Sequence, residues 1–259
     1  MADDPRAEIA ELQARLRACS ASLEAANKEL DTLCYAVSHD LRAPLRAVNG
    51  FSRMLMDRGQ GRLDTEDRRL LQVVLTSSAT MGRMIDELVE FSRLGRQALR
   101  PTEVDMTSVV SDAWAEAGAG FAGRLDLQTL LPVHGDRALL KKAWVQLLAN
   151  AVKFSAGSVD PVIVIRSTRE GHEIVYGVRD NGIGFDMTYA PKLFTVFQRL
   201  HASPAFPGSG VGLATMARIV KRHGGRVGAE SKDGGGATFW FALPDPHLPM
   251  RTDSEPSWP

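Results

Sequence analysis

The sequence has almost no cysteine, no net charge and no long apolar run, and each lack excludes a class of protein. Its two cysteines, Cys19 and Cys34, show no metal-like spacing and stand in a stretch that reads as helix. That excludes a disulfide scaffold and fits a reducing compartment. Thirty-one basic residues balance thirty-one acidic ones, so nothing global points to nucleic acid or an anionic membrane surface as a partner. No apolar run approaches the roughly 18 residues of a membrane span. The acidic start MADDPRAEIAE also lacks the basic and apolar regions of a signal peptide. The expectation is a soluble, cytoplasmic chain with no membrane segment. With 259 residues, 44% of them hydrophobic, there is room for one large or two modest domains with real cores.

What is present begins with a heptad seam. Ile9, Leu12, Leu16, Cys19, Leu23, Ala26, Leu30, Leu33 and Val37 alternate spacings of three and four, which predicts a coiled coil over residues 1–34. The stripe continues through Leu41, Leu45 and Val48, leaving His39 and Asp40 off its centre and facing solvent. A neutral imidazole is a competent phosphoryl acceptor, and an adjacent carboxylate can orient the ring or take its proton. The step from Val37 to Leu41 shifts the register at His39, and Pro44 is expected to bend the rod just beyond it. This helix should end near Met56, where DRGQGRLD supplies a turn. Asp64 or Thr65 can cap a second helix whose apolar face is Leu70, Val73, Val74, Ser77, Met81, Met84, Ile85, Leu88 and Phe91, ending near Leu94. One such hairpin, residues 35–98, cannot close a core. Two make a four-helix bundle, which implies a homodimer.

From Leu99 helix and strand alternate. LRPTEV and LDLQTLL read as strands around a helix capped by Asp105, and Asp136 caps the helix ALLKKAWVQLLANAVKF. VIVIRST and EIVYGVRD read as neighbouring strands, 182–210 as a long loop, GVGLATMARIVKRHGG as a helix, and RVGAES with GATFWFALP as a closing hairpin. The tail, 245–259, is polar and proline-rich and is expected to be disordered. The fold class is therefore α+β: a coiled coil and helical hairpin forming a dimeric bundle, then an α/β two-layer sandwich over 99–244.

Three motifs stand in the right order for one nucleotide pocket. Asn150 and Lys153, three apart, share a helical face; an amide oxygen can ligate Mg²⁺ and an ammonium can meet a phosphate. In DNGIGFD, Asp180 ends a strand and can accept from an adenine amino group, while Gly182 and Gly184 permit turns and close backbone approach. GSGVGL, with Gly208, Gly210, Gly212 and Leu213, leads into a helix whose first amides form an anion site. It is not a dinucleotide fingerprint, because the third glycine is not at the required offset and no first βαβ strand precedes it. In APKLFTVFQRL, Phe194 and Phe197 can anchor the loop while Lys192 and Arg199 approach phosphates.

Over about residues 30 to 244 the chain resembles the kinase core of a two-component sensor histidine kinase, of the phytochrome-like group. SHDLRAPL matches the phosphoacceptor box, LLANAVKFS the N box, DNGIGFD the first glycine box, KLFTVFQRL the F box and GSGVGLA the second glycine box. The resemblance implies that His39, assisted by Asp40, accepts the γ-phosphoryl of ATP and passes it to an aspartate of a response regulator receiver domain. It implies a Bergerat-type sandwich binding Mg-ATP, with Asn150 on Mg²⁺, Lys153 at phosphate and Asp180 at adenine. The nucleotide domain would swing on the Leu94 to Leu99 linker until ATP meets His39. Sensing would come from an upstream domain or a partner not present in this chain.

The sequence departs from the family at two positions. Gln146 stands where the N box usually carries Asn; its amide oxygen can still serve the metal, with reduced activity expected. Ala43 stands where many relatives carry a Thr or Asn linked to dephosphorylating the regulator, and a methyl group cannot position a water. His134, His172, His201, His223 and His247 match no family motif and are assigned to surface or loop roles. Two rival readings are a dimeric scaffold that no longer transfers phosphate and an ATPase of the gyrase or mismatch-repair kind. The second would hardly need a histidine hairpin.

Overall fold

The computed structural model describes residues 5–59, 61–95, 97–200, 206, 208–232 and 234–245. Two compact units divide at Gly95 and Arg96. The tail beyond residue 245, His201 and His247 lie outside the described residues, as do the side chains of Ile9, Leu23, Leu30 and Leu33 on the seam and of Cys34.

The first unit is a helical hairpin. Helix α1 runs unbroken over Pro5–Arg58 and takes Pro44 inside it; α2 runs over Thr65–Leu94. Asp64 caps α2: its carboxylate accepts from the Asp67 amide at 2.8 Å while Asp67 reaches back to the Asp64 amide. Such a reciprocal cap contributes about 1 kcal/mol and fixes where the turn ends. Of the apolar face expected of α2 only Ile85 is buried, and the face that packs is a neighbouring one. Ser78, Ile85, Val89, Ser92 and Leu94 are buried, as are Ser38 and Ser52 of α1, and the small serines let the two backbones approach. Leu70, Val73, Val74 and Met81 are exposed, together with Leu41, Val48, Phe51, Met54 and Leu55 of α1. A single hairpin thus leaves a second apolar surface uncovered. That much exposed apolar area marks an interaction face.

The second unit begins with β1 (Thr102–Val104), α3 (Met106–Ala117), β2 (Arg124–Leu127), β3 (Val133–Gly135) and α4 (Arg137–Ser155). It continues with β4 (Val162–Glu170), β5 (Glu173–Asp180), α5 (Gly212–Arg222), β6 (Arg226–Ser231) and β7 (Ala237–Pro244). Asp105 caps α3 and Asp136 caps α4, each accepting two amides of the first turn. β1 pairs antiparallel with β3 as a separate ribbon. The main sheet has the order β2-β4-β5-β7-β6, with β2 parallel to β4 and the other pairs antiparallel.

The expected strand LDLQTLL is shorter than its sequence suggests, because the chain leaves the ladder after Leu127 and buries Leu130, whose amide donates to Thr107 Oγ1 at 2.9 Å. The described residues of 182–210 are irregular apart from one 3-10 turn, Met187–Lys192, capped by Asp186.

The core lies between the sheet and the helices. Trp144 of α4 sits edge-on to Tyr176 and Phe241, at 6.2 and 5.3 Å between ring centroids, and all three are fully buried. Truncating such an aromatic costs about 3–5 kcal/mol. Leu140, Leu147 and Leu148 of α4 and Met216 and Ile219 of α5 complete this layer. The core therefore fixes α4 and α5 against β5 and β7, so that the end of β5, the last turns of α4 and the start of α5 keep a set geometry.

Candidate active site

His39 projects from α1 with 71% of its side chain exposed, while Ser38 before it is buried. Its Nδ1 lies 3.2 Å from Asp40 Oδ1. An Nδ1–H donated to that carboxylate leaves the lone pair on Nε2, pointing away from the acid. One turn on, Arg42 donates through Nη2 to Asp86 Oδ1 of α2 at 2.7 Å, which ties the two helices beside the histidine.

In the second unit, Gln146, Asn150 and Lys153 lie along one half-buried face of α4, while Leu147, Leu148 and Ala151 turn into the core. The Lys153 ammonium stands 4.2 Å over the Phe154 ring. Burial, and secondarily the Arg199 charge, hold its pKa below the ordinary lysine value. A β-carbon built on Gly208 would sit 3.4 Å from Lys153 Nζ, and one built on Gly212 would sit 2.5 Å from Gln146 Oε1. Two of the motif glycines are thus brought against the α4 face. Gly212 opens α5 with no side-chain cap at Val211 before it. The first amides of the helix point out of an apolar end, the arrangement that attracts an anion.

Asp180 closes β5 at 3% exposure. Burial pushes its carboxyl up to about 6, while hydrogen bonds from the Gly182 and Ala237 amides pull the other way. The Gly182 bond measures 2.9 Å. A side chain at Gly182 would run into the Phe154 carbonyl, and Gly184, at φ +65°, faces the Lys232 carbonyl. The strand end, the glycine turn and the last turn of α4 are consequently in direct contact.

The remaining expected residues lie on the irregular stretch and in the first turn of α5. Lys192 is exposed at the end of the 3-10 turn. Leu213 is half-buried in the first turn of α5. Arg199 is exposed and donates to the Phe206 carbonyl at 3.1 Å. Phe197 does not anchor the loop: it is 43% exposed at φ +64°, and its amide donates to the Gly210 carbonyl. Phe194 is half-buried, and the anchors are Leu193 and Phe185, the latter packed on Phe239. Phe154 is half-buried and packs on Phe206 at 5.2 Å between centroids.

His223, expected in a surface or loop role, is half-buried with both ring nitrogens engaged. Its Nδ1 meets the Ile219 carbonyl at 2.8 Å, and its Nε2 accepts from the Asp136 amide at 3.0 Å.

The His Kinase A (phospho-acceptor) domain matches residues 29–97, and the histidine kinase-, DNA gyrase B-, and HSP90-like ATPase matches residues 135–247. Phytochrome-like protein Cph1 of Synechocystis sp. is 32% identical over 230 residues, 86% of this chain and 30% of that protein. Methanogenesis regulatory histidine kinase FilI of Methanothrix harundinacea is 33% identical over 246 residues, 93% of this chain and 27% of that protein. The chain thus spans about 30% of the length of the curated relatives it matches. In fold it resembles full-length ShkA, solved in complex with AMPPNP, at TM-score 0.56 and 24% identity over 82% of this chain and 45% of that one. It also resembles histidine kinase AdeS of Acinetobacter baumannii, at TM-score 0.55 and 18% identity over 80% of this chain and 98% of that one. The chain belongs to the two-component sensor histidine kinases and carries their catalytic core.

Proposed function

We propose that the chain is an ATP-dependent histidine autokinase that phosphorylates His39 and passes the phosphoryl group to an aspartate of a response regulator receiver domain. The observation that carries this reading is an exposed imidazole whose Nδ1 is engaged by Asp40, in the same chain as a buried carboxylate and an uncapped helix end lined by glycines. Asp40 keeps the ring in the tautomer with a free Nε2, and so acts on the attacking atom without touching phosphate.

The nucleotide site fits ATP on its own chemistry. Asp180, whose bonds come from the backbone amides of Gly182 and Ala237, offers a buried acceptor to an adenine amino group. Lys153 and the first amides of α5 would hold phosphates. Among the described residues no three His, Cys, Asp or Glu converge on a metal site, so Mg²⁺ would rely on the amide oxygens of Asn150 and Gln146 together with phosphate oxygens. When bound, Mg-ATP supplies the phosphoryl group and the metal neutralises its charge. Arg199, whose charge already acts on Lys153, and Lys192 would add to the phosphate site from the irregular stretch.

Residues 1–34 would serve as a coiled-coil signalling helix and 35–98 as the dimerising hairpin, in a cytoplasmic homodimer built on the exposed apolar faces of α1 and α2. No described helix is long and apolar enough to cross a membrane. Input would enter through α1 from an upstream sensor or partner.

A second reading, a dimeric scaffold that binds nucleotide without transferring phosphate, is favoured by one observation: Gln146 fills the space at Gly212. ATP labelled at the γ-phosphate separates the alternatives. Acid-labile, base-stable label on protein means autokinase, phosphate release alone means ATPase, and nucleotide binding without either means scaffold.

A further inference from the structure

Helices α4 and α5 bear the nucleotide-facing groups at one end; at the other, both are tied to the segment by which the chain enters this unit. Arg222, the last residue of α5, donates through Nη2 to the Gln97 carbonyl. His223 follows with both ring nitrogens engaged, by the Ile219 carbonyl and the Asp136 amide. The amide can only donate, so Nε2 is the acceptor and Nδ1 carries the hydrogen. Asp136 is 5% exposed and divides its carboxylate: Oδ1 accepts from the Ala138 and Leu139 amides that start α4, and Oδ2 accepts from the Arg100 amide at 3.1 Å. A β-carbon on Gly135 would stand 3.1 Å from His223 Cδ2, closer than ordinary packing, so glycine keeps the joint tight.

We propose that Asp136, His223 and Arg222 are positioning residues for phosphoryl transfer: they clamp residues 97–100 to the two helices that hold the nucleotide. The role presupposes the kinase reading. None of the three lies among the nucleotide-facing groups, which stand on the middle and last turns of α4 and at the start of α5. Their loss should therefore leave ATP binding alone. What changes is how often ATP and His39 reach productive geometry, because the only covalent path between the two units runs through this segment. Such a defect falls on kcat and spares KM.

The test uses the full chain with Mg-ATP. His223→Phe keeps the ring and deletes the acceptor, His223→Gln returns an acceptor, and Arg222→Met keeps the aliphatic stem and deletes the donor. The expected result for His223→Phe and Arg222→Met is a rate of His39 labelling lowered about tenfold, with half-saturating ATP within about twofold of the parent. Hydrogen exchange at the Arg100 amide should quicken in His223→Phe, and His223→Gln should recover part of the rate.

An unchanged rate despite faster Arg100 exchange overturns the proposal. So does a parallel loss of nucleotide affinity and rate, which would make the joint a support of the fold alone. Should His223→Phe fail to fold, Arg222→Met decides by the same two readouts. A parent chain that binds nucleotide but takes no label sinks the kinase reading and this role with it, an outcome told apart by the parent control alone.

Discussion

Gln146 closes the space beside Gly212: its amide oxygen lies 2.5 Å from where a β-carbon on Gly212 would stand. A side chain one methylene shorter would withdraw by about one carbon–carbon bond, and phosphoryl transfer is sensitive to roughly 1 Å of misplacement. Gln146→Asn is therefore expected to raise the labelling rate or lower the Mg²⁺ concentration required. Superimposable Mg²⁺ titrations of the two proteins would make the position structural.

The same contact predicts a coupling. Gly212→Ala should push Gln146 aside at the start of α5 and weaken nucleotide binding, and adding Gln146→Asn should restore part of it. A double-mutant cycle on nucleotide affinity reads the interaction, expected at about 0.5–3 kcal/mol. Strictly additive effects would show that the two residues do not meet in the working protein.

Asp180→Asn replaces a buried acceptor carboxylate by an amide. Nucleotide affinity should fall by about 1.5–3 kcal/mol, roughly tenfold to a hundredfold, while the thermal midpoint of the apo chain holds or rises. Affinity that does not change in titration calorimetry removes Asp180 from the site.

The raised Asp180 pKa sets a pH window. Its folded value of about 6 exceeds the ordinary 3.8, so this group stabilises the apo fold most below pH 3.8 and loses that contribution as pH rises through about 6. Adenine binding runs the other way, because the carboxylate is the acceptor. Nucleotide affinity should decline on acidification below about pH 6 in the parent and not in Asp180→Asn. Parallel profiles for the two proteins would place the titration elsewhere.

Much of this was legible in the sequence because its signals are local. Asp64, Asp105 and Asp136 each announce a helix start by the residue type and the run that follows, and all three cap in the structure. Which way α2 turns was not legible, since Leu70, Leu71, Val73, Val74 and Leu75 are apolar almost all round, and only packing against α1 selects the buried face. β3 escaped because three residues, Val-His-Gly, are too short a run to establish a period. His223 escaped because its acceptor role depends on Asp136, 87 positions away in the chain. At the site, glycines and acids in motif order were readable, whereas the left-handed backbone of Phe197 follows from its bond to Gly210 and has no local cue.

The exposed faces of α1 and α2 give a separate prediction. Phe51 is 65% and Val73 51% exposed in the single chain. Phe51→Glu or Val73→Glu would bury a charge in a dimer, at about 3 kcal/mol or roughly a hundredfold in dissociation constant. Light scattering should then report monomers with unchanged helical content. Dimers that persist at the parent's affinity would put the interface elsewhere.

The most direct measurement is labelling with γ-phosphate-labelled ATP on the parent chain and on His39→Gln, alongside nucleotide titration and light scattering of both. His39 is exposed on α1, in a different unit from Asp180 and Lys153, so the substitution should leave nucleotide affinity and oligomeric state unchanged. The expected result is acid-labile, base-stable label on the parent and none on His39→Gln. Label retained by His39→Gln, or none on a parent that binds nucleotide, would contradict the account.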